Sequence, residues 1–419
     1  MSFAKDEYGE TMHFAADLHL HSRFAKGVSP AMTLENIALW AQRKGVDLLG
    51  TGDCLQPQWL EEIEAHTLEA EPGLLALKPE IEKAVHARLP EGLRRPLRFV
   101  LSTEVDCVPA GKGEMTGLHQ LLYFPSLAVA REFAARVARR GDLQQGRPVL
   151  ALSARELLRG ARDFDRVHVT APHVMNPWFS VLGIVGGELS VEEVYGDELP
   201  NLWAVETGLT SNPAMCRRVP GLDRFGLYSC SDAHSLENIG RECTLLDIEP
   251  GYDALMAALR AGTTGHIKGT LKFPLELTRY FLNWCSRCQE PFDAWPGCPT
   301  CGKKLTMGSR DRMGKLREVR LQPVFPDRSP PFEALRPLSY LVAEVEKKKP
   351  DTAGVRRVAG GIVDQLGSER QVLTEAGPAD LLRVTKPEIA QAILVQRTGA
   401  VSRRSASAHT QLGQGGFDF

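Results

Sequence analysis

Short apolar runs along this chain tend to end in side chains that bind metals, and stretches with helical spacing separate them. Phe14 to His21 (FAADLHLH) opens with three apolar residues and then alternates. This predicts a short buried strand with Asp17, His19 and His21 on one face and Leu18 and Leu20 on the other. Thr33 to Lys44 (TLENIALWAQRK) carries apolar residues at helical spacing, with Thr33 to cap the helix and Gly45 to stop it. Val46 to Asp53 (VDLLGTGD) reads as a second strand, and residues 57 to 90 read as mostly helix. Arg98 to Asp106 is another strand, ending near Glu104, and Leu118 to Phe124 begins near His119. Residues 127 to 140 and Ser153 to Gly160 read as helices. Val167 to His173, Leu202 to Thr207 (near Glu206) and Phe225 to Asp232 read as further strands, the last running on to His234. Strands and helices in this order, with polar residues at the strand C-termini, predict a parallel α/β barrel or sheet. In a barrel that end is the catalytic face.

A chain of 419 residues exceeds one ordinary core, so two or three domains are expected. With 43% hydrophobic and 24% charged residues it has the composition of a soluble globular protein. The opening MSFAKDEYGE has acidic residues and no apolar core, unlike a secretory signal. Val167 to Gly187 lacks formal charge but holds His168, Pro172, His173, Pro177 and glycines, which argues for a buried strand and loop and against a membrane span. Nine cysteines, four of them in Cys-x-x-Cys pairs, point to metal in a reducing compartment rather than to disulfides, so a cytoplasmic protein with no membrane partner is expected. Charge is unevenly spread. Residues 302–419 hold 20 Lys+Arg against 13 Asp+Glu, leaving 30 against 39 in residues 1–301. The basic part suits a polyanion, and the acidic part suits bound cations.

The candidate barrel ligands are His19, His21, Asp53, Glu104, His119, His173, Asp232 and His234. A lone His-x-His is equally compatible with two satisfied histidines at a strand end. Eight N and O ligands, however, exceed the three or four that one zinc takes and suit two or three divalent ions sharing carboxylates, zinc first and magnesium or manganese as alternatives. Cys285, Cys288, Cys298 and Cys301 form a four-thiolate pattern for one structural zinc. Lys303, Lys304, Arg310 and Arg312 follow it and could grip a DNA backbone, or the zinc could simply staple two domains together. Cys54, Cys107, Cys216, Cys230 and Cys243 lack partners at ligand spacing and read as buried thiols. Pro, Cys and Gly dominate 284–302, and 323–337 is Pro-rich. The expected domains are therefore a catalytic barrel at 1–283, a ribbon at 284–322, a helical unit at 323–398 and a flexible tail at 399–419. Val355 to Leu366 reads as a helix despite Gly360 and Gly361. Pro378 to Val384 and Lys386 to Gln396 read as a helix pair before Arg397, either a DNA-contacting hairpin or, without a Gly-x-Gly turn, an ordinary pair.

The order HxH, Asp, Glu, His, His, DxH resembles the PHP family, named after polymerases and histidinol phosphatases. The segments DLHLHSRFAKGVSP, GVDLLGTGDCLQPQW, APHVMNPWFS, VETGLTSNPAM and SDAHSLENIGRE, then the cysteine cluster and KLTMGSRDRM, resemble its endonuclease Q branch over about residues 13 to 345. That resemblance implies a distorted (β/α)7 PHP barrel with a trinuclear metal centre, followed by a four-cysteine zinc ribbon and a small, mostly helical C-terminal domain. It implies that the eight residues above are ligands, that Asp17 orients a histidine ring and that Arg241 neutralises a phosphate oxygen. The implied activity is metal-dependent cleavage of damaged double- or single-stranded DNA, 5′ of hypoxanthine, uracil or an abasic site, leaving 3′-hydroxyl and 5′-phosphate ends. Reading such a base requires flipping it into a pocket, for which Asn176, Trp178 and Phe179 are the candidates, with ordinary loop packing as the alternative. Gln120 and Asn176 depart from the family pattern, as does the stretch LKFPLELTRYFLNW. The competing functions are a PHP-type phosphatase acting on a small phosphomonoester and a non-catalytic DNA-binding scaffold. The tail QLGQGGFDF raises the further expectation of docking on a sliding clamp.

Overall fold

The computed structural model describes residues 12–109, 111, 116–184, 190–326 and 329–398, so the expected flexible tail and its clamp-docking segment lie outside the described residues. The first strand, β1 (Met12–Asp17), sits centrally because Phe14, Ala15 and Ala16 are all buried. Helix α1 (Leu34–Lys44) follows, capped as its sequence dictates: Thr33 Oγ1 accepts the Asn36 N–H at 3.4 Å, and Gly45 takes a left-handed φ of 83°. Next come β2 (Leu48–Gly50), α2 (Pro57–His66), the hairpin β3 (Thr67–Glu71) and β4 (Leu74–Leu77), and α3 (Pro79–His86). The hairpin corrects the reading of 57–90 as mostly helix. The helix stops at His66, Pro72-Gly73 forms the turn of the hairpin, and Leu75 pairs with Phe99 on a neighbouring strand.

The remaining strands are β5 (Arg98–Cys107), β6 (Leu118–Phe124), β7 (Val149–Leu150), β8 (His168–Thr170), β9 (Val205–Glu206), β10 (Leu227–Tyr228), β11 (Cys243–Ile248) and β12 (Ile267–Lys272). Hydrogen bonds link β1 to β2, β2 to β5, β5 to β6 and β6 to β8. A parallel bridge from Ala171 to Val205 continues to β9, β9 pairs with β10, and a parallel bridge from Ala233 to Leu20 returns to the end of β1. Seven strands thus connect in a ring. Its interior is filled by Phe14, Leu18, Leu48, Val100, Leu121, Tyr123 and Tyr228, while a second apolar layer lies between strands and helices. One strand departs from the parallel expectation: β6 runs antiparallel to both β5 and β8. The chain returns from β5 through residues 108–117 with no crossover helix among the described ones, and a parallel neighbour would need such a crossover.

Outside the ring, β11 and β12 extend the sheet from β1, and a short strand at Phe332–Ala334 adds to β12 in parallel. The C-terminal helices, at Leu338–Glu346, Ala353–Leu366, Glu369–Thr374, Pro378–Val384 and Pro387–Arg397, pack on α1. Leu341, Ile362, Val372 and Ile389 share one apolar cluster with Ile37 and Ala38, and Lys44 pairs with Glu369 at 2.6 Å. The last helix pair does not offer Arg397 to DNA. Its guanidinium donates to the carbonyls of Val372, Leu373 and Ala376 at 2.5, 2.7 and 2.6 Å, closing the end of the 369–374 helix. No helix among the described residues is long and apolar enough to cross a membrane.

Candidate metal centre

Three groups of candidate ligands meet at the ends of the ring strands: His19, His21 and Glu104; His21, Asp232 and His234; Glu104, His119 and His173. In each, the ligand atoms lie within 4.8 Å of one another. Glu104 joins two of these groups. Its Oε1 lies 2.8 Å from His173 Nε2, 2.9 Å from His119 Nδ1 and 3.6 Å from His19 Nε2, and its Oε2 lies 3.4 Å from His21 Nε2. Asp232 Oδ1 stands 3.2 Å from His21 Nε2 and 3.7 Å from His19 Nε2. Ligands 2.0–2.1 Å from a tetrahedral zinc stand about 3.3–3.4 Å apart. His19 Nε2, His21 Nε2, His173 Nδ1 and Asp232 Oδ1 are buried and make no hydrogen bond. Such atoms are costly in a core unless something is held between them, so the donor set fits divalent cations. Asp53, His173 and Asp232 also adopt positive φ of 48°, 30° and 48°, a conformation more accessible to Asp and His than to most residues other than glycine.

The charges are mutually dependent. Burial works to lower the His19 imidazole, but the Glu206, Asp232 and Glu104 carboxylates push it up to about 9. Burial works to raise Glu104, yet His119 and His19 hold it well below the usual carboxylate range. Asp232 behaves likewise beside His19 and His21. His119 goes the other way, lowered to about 4 chiefly by burial. Burial lowers His234 as well, whereas His21 and His173 are raised like His19, so the carboxylates kept ionised and these three imidazoles favour exchange of their protons for cations.

Several expected roles are redistributed. Asp53 does not join a ligand group. Its Oδ1 accepts from His21 Nδ1 at 3.0 Å, and its Oδ2 takes the Ser22 N–H and hydroxyl at 2.6 and 2.7 Å, so it fixes the ring of His21 from behind. Asp17 touches no histidine nitrogen in this arrangement. Its carboxylate accepts the Ser231 and Gly240 N–H groups at 2.9 and 2.8 Å and holds the loop that carries Asp232 and His234. The carboxylate behind His19 is Glu206, 2.8 Å from Nδ1. Its signal was already present, an acid at the end of a strand. Arg241 aims Nε and Nη2 at the Ser231 carbonyl, at 3.0 and 2.9 Å, so it braces the same loop. Arg147, which no motif marks, reaches Glu104 Oε2 at 3.1 Å. Gln120 faces away from the centre, accepting the Tyr195 hydroxyl at 2.8 Å, because strand alternation turns it opposite His119.

Phe179 stacks on the His119 ring at 4.8 Å, and its carbonyl accepts the His119 N–H at 2.7 Å. Trp178 turns its edge toward Tyr280 at 4.3 Å, while Asn176 is half-buried in the same loop. In the cysteine cluster, strands β13 (Asn283–Cys285) and β14 (Glu290–Phe292) form a hairpin. Cys285 Sγ lies 3.5 Å from Cys301 Sγ, and Cys288 Sγ 3.8 Å from Cys298 Sγ. Four thiolates about 2.3 Å from a tetrahedral zinc stand roughly 3.8 Å apart, so this set also fits its ion. Of the basic residues that follow, Lys303 and Lys304 are exposed. Arg310 pairs with Asp293 and Asp311, and Arg312 donates to the Leu182 carbonyl at 3.0 Å, which takes both arginines out of the expected DNA grip.

No family model matches the chain. It is similar to YqxK of Bacillus subtilis, an uncharacterized protein, at 28% identity over 413 residues, covering 94% of this chain and 97% of YqxK. Among solved structures it is similar to PfuEndoQ, a lesion-specific endonuclease of Pyrococcus furiosus, at 27% identity and a TM-score of 0.77, covering 93% of this chain and 91% of that one. It is also similar to an endonuclease Q in complex with a 27-mer duplex substrate carrying an abasic lesion at the active site, at 27% identity and a TM-score of 0.79, covering 93% of each chain.

Proposed function

We propose that this chain, which belongs to the endonuclease Q family, is a metal-dependent DNA repair endonuclease that cuts the phosphodiester 5′ of a deaminated or lost base and leaves 3′-hydroxyl and 5′-phosphate ends. The observation that carries this reading is the set of three overlapping ligand groups with unpartnered buried donor atoms, in a chain that overlays on endonuclease Q along nearly its whole length. In this reading the seven-strand ring is a distorted (β/α)7 barrel with β6 reversed, spanning about residues 1–283, followed by a zinc ribbon and a helical unit.

His19, His21, Glu104, His119, His173, Asp232 and His234 hold two or three divalent ions, zinc first and magnesium or manganese as alternatives. Glu206 and Asp53 fix the histidine tautomers from behind. Bound there, divalent cations supply charge neutralisation on the phosphate oxygens and a water of lowered pKa. Glu104 spans the centre and sets the spacing of its neighbours, and Asp17 and Arg241 keep the 231–240 loop in place. Trp178 and Phe179 pack a base turned out of the stack, and Asn176 reads its edge. Lys303 and Lys304 on the ribbon meet the DNA backbone.

The test is a panel of labelled duplexes carrying inosine, uracil, an abasic site or no lesion, incubated with metal-stripped protein and with added Zn, Mn or Mg. Nicking 5′ of a lesion, abolished by His19→Ala or Asp232→Ala with DNA binding mostly kept, is the expected result. Full nicking by either variant, or turnover of small phosphomonoesters without nicking, overturns the reading.

A further inference from the structure

The expected phosphate-binding arginine, Arg241, is committed to a backbone carbonyl, so it does not offer a phosphodiester's developing charge a guanidinium beside the cations of the centre. We propose that Arg147 grips the scissile phosphate, an inference that rests on the nuclease reading of this centre.

Arg147 is delivered to the centre by a tightly seated turn. The Gly146 N–H donates to the Phe24 carbonyl at 3.1 Å, and a Cβ on Gly146 would lie 2.6 Å from Asp53 Oδ2 and 2.7 Å from the Ala25 nitrogen. A side chain there would collide with the group behind His21, so only glycine brings the turn this close. On the other side, the Pro148 carbonyl accepts the Asp106 N–H at 2.9 Å, and β7 then pairs in parallel with β5. The Arg147 backbone is therefore pinned at both ends, and its side chain does not sweep the surface like an ordinary loop arginine.

Among the described residues the guanidinium makes one hydrogen bond, from Nη1 to Glu104 Oε2 at 3.1 Å, and the side chain is 27% exposed. Its remaining N–H groups, without a partner among the described residues, can take two oxygens of one anion in two-point fashion, as arginine does with phosphate. Glu104 is also the carboxylate shared by two ligand groups. Once Glu104 shares its charge with cations it holds the Arg147 guanidinium less strongly, and a further anion beside that guanidinium is favoured. A DNA phosphate straddling the centre is that anion. Arg147 then trades Glu104 for a non-bridging oxygen, and its interaction strengthens as charge builds on that oxygen during cleavage. Arg23, another arginine on this side, is already held bidentately by Glu62 at 2.9 and 2.5 Å.

The experiment uses the full-length, metal-loaded protein with Arg147→Ala and Arg147→Lys beside wild type, and three readouts. Cleavage of an abasic duplex is expected to fall about 10²-fold in Arg147→Ala. Bound metal per chain should stay unchanged, and millimolar guanidinium should restore part of the rate. Arg147→Lys keeps charge and bulk, so it folds even if the alanine variant does not, and it should fall between the two because it lacks the fork. Competition by orthophosphate at the loaded centre, read by displacement of a fluorescent phosphate probe, should weaken about tenfold in Arg147→Ala. Wild-type cleavage with wild-type metal content in both variants overturns the proposal. So does a loss cured by excess metal and untouched by guanidinium, since that would make Arg147 a mere partner of Glu104. If wild type nicks no lesion at all, the nuclease reading fails by itself, and unchanged orthophosphate binding then separately removes Arg147.

Discussion

Glu206 Oε2 lies 2.8 Å from Nδ1 of His19, with both side chains fully buried and 187 positions apart in the chain. The carboxylate accepts a hydrogen bond from Nδ1–H and leaves Nε2, which has no hydrogen-bond partner among the described residues, directed at Glu104 and Asp232. A carboxylate behind a ligating histidine fixes its tautomer and raises its basicity, and removing one costs about 10- to 100-fold in metal affinity. Glu206→Gln is therefore expected to weaken metal binding at the His19 position within that range, measured by competition against a chelator, while the fold is kept. Unchanged affinity would reduce Glu206 to a packing residue.

The same pair sets a pH dependence. In metal-free protein the His19 pKa lies near 9, raised from an ordinary 6.5 by Glu206, Asp232 and Glu104 against the opposing effect of burial. A raised imidazole contributes stability that is fully present below about pH 6.5 and is lost as pH climbs through 9. His21 and His173 are shifted in the same direction. The melting midpoint of metal-stripped protein should fall between pH 6.5 and 9, with a shallower slope in His19→Gln. Metal affinity should rise over the same window as protons are displaced. A flat midpoint for the metal-free protein would contradict the proton-loaded cluster.

Behind the centre, the buried Lys272 ammonium donates to Glu242, to Thr207 Oγ1 at 2.8 Å and to the Gly208 carbonyl at 2.7 Å. Gly208 lies against His173, where a Cβ would come within 2.5 Å of the histidine Cβ. Burial outweighs the lysine and pushes Glu242 up to about 7. Lys272→Met strands that carboxyl group and should cost about 3–5 kcal/mol in urea unfolding. The double variant with Glu242→Leu should recover most of the loss. A cost under about 1 kcal/mol for the single variant would show that the pair contributes little.

The ribbon should behave as a separate metal site. Cys298→Ser removes one thiolate of a closed set and should lower bound zinc by one equivalent while the barrel metals stay. Trp284 packs between Tyr280 at 6.0 Å and the Arg279 guanidinium at 5.0 Å, so its fluorescence should report the loosened hairpin. DNA affinity should drop with it, because Lys303 and Lys304 ride on the ribbon. Full zinc content in this variant would remove the cysteine set from metal binding.

Much of the local structure was legible. The α1 boundaries, its Thr33 cap and its Gly45 stop follow from side chains a few positions apart, and so do β5, β6 and the helix over 353–366. The hairpin at 67–77 was missed because Leu74–Leu77 becomes a strand only through Phe99 of β5. The reversal of β6 was missed because strand direction depends on the connection, whereas side-chain alternation looks the same either way.

The sequence by itself determined which residue types stand at the strand ends, and it thereby set the chemistry of the centre as imidazole and carboxylate and that of the ribbon as thiolate. Tertiary structure alone decided where each carboxylate stands: Glu104 among the candidate ligands, Glu206 behind His19, Asp53 behind His21 and Asp17 on the backbone of a loop. The physical reason is that these acids are chemically alike. A carboxylate's role is fixed by which N–H groups reach its oxygens, and here those groups arrive from segments as far as 223 residues away, brought together only when the strand ring closes.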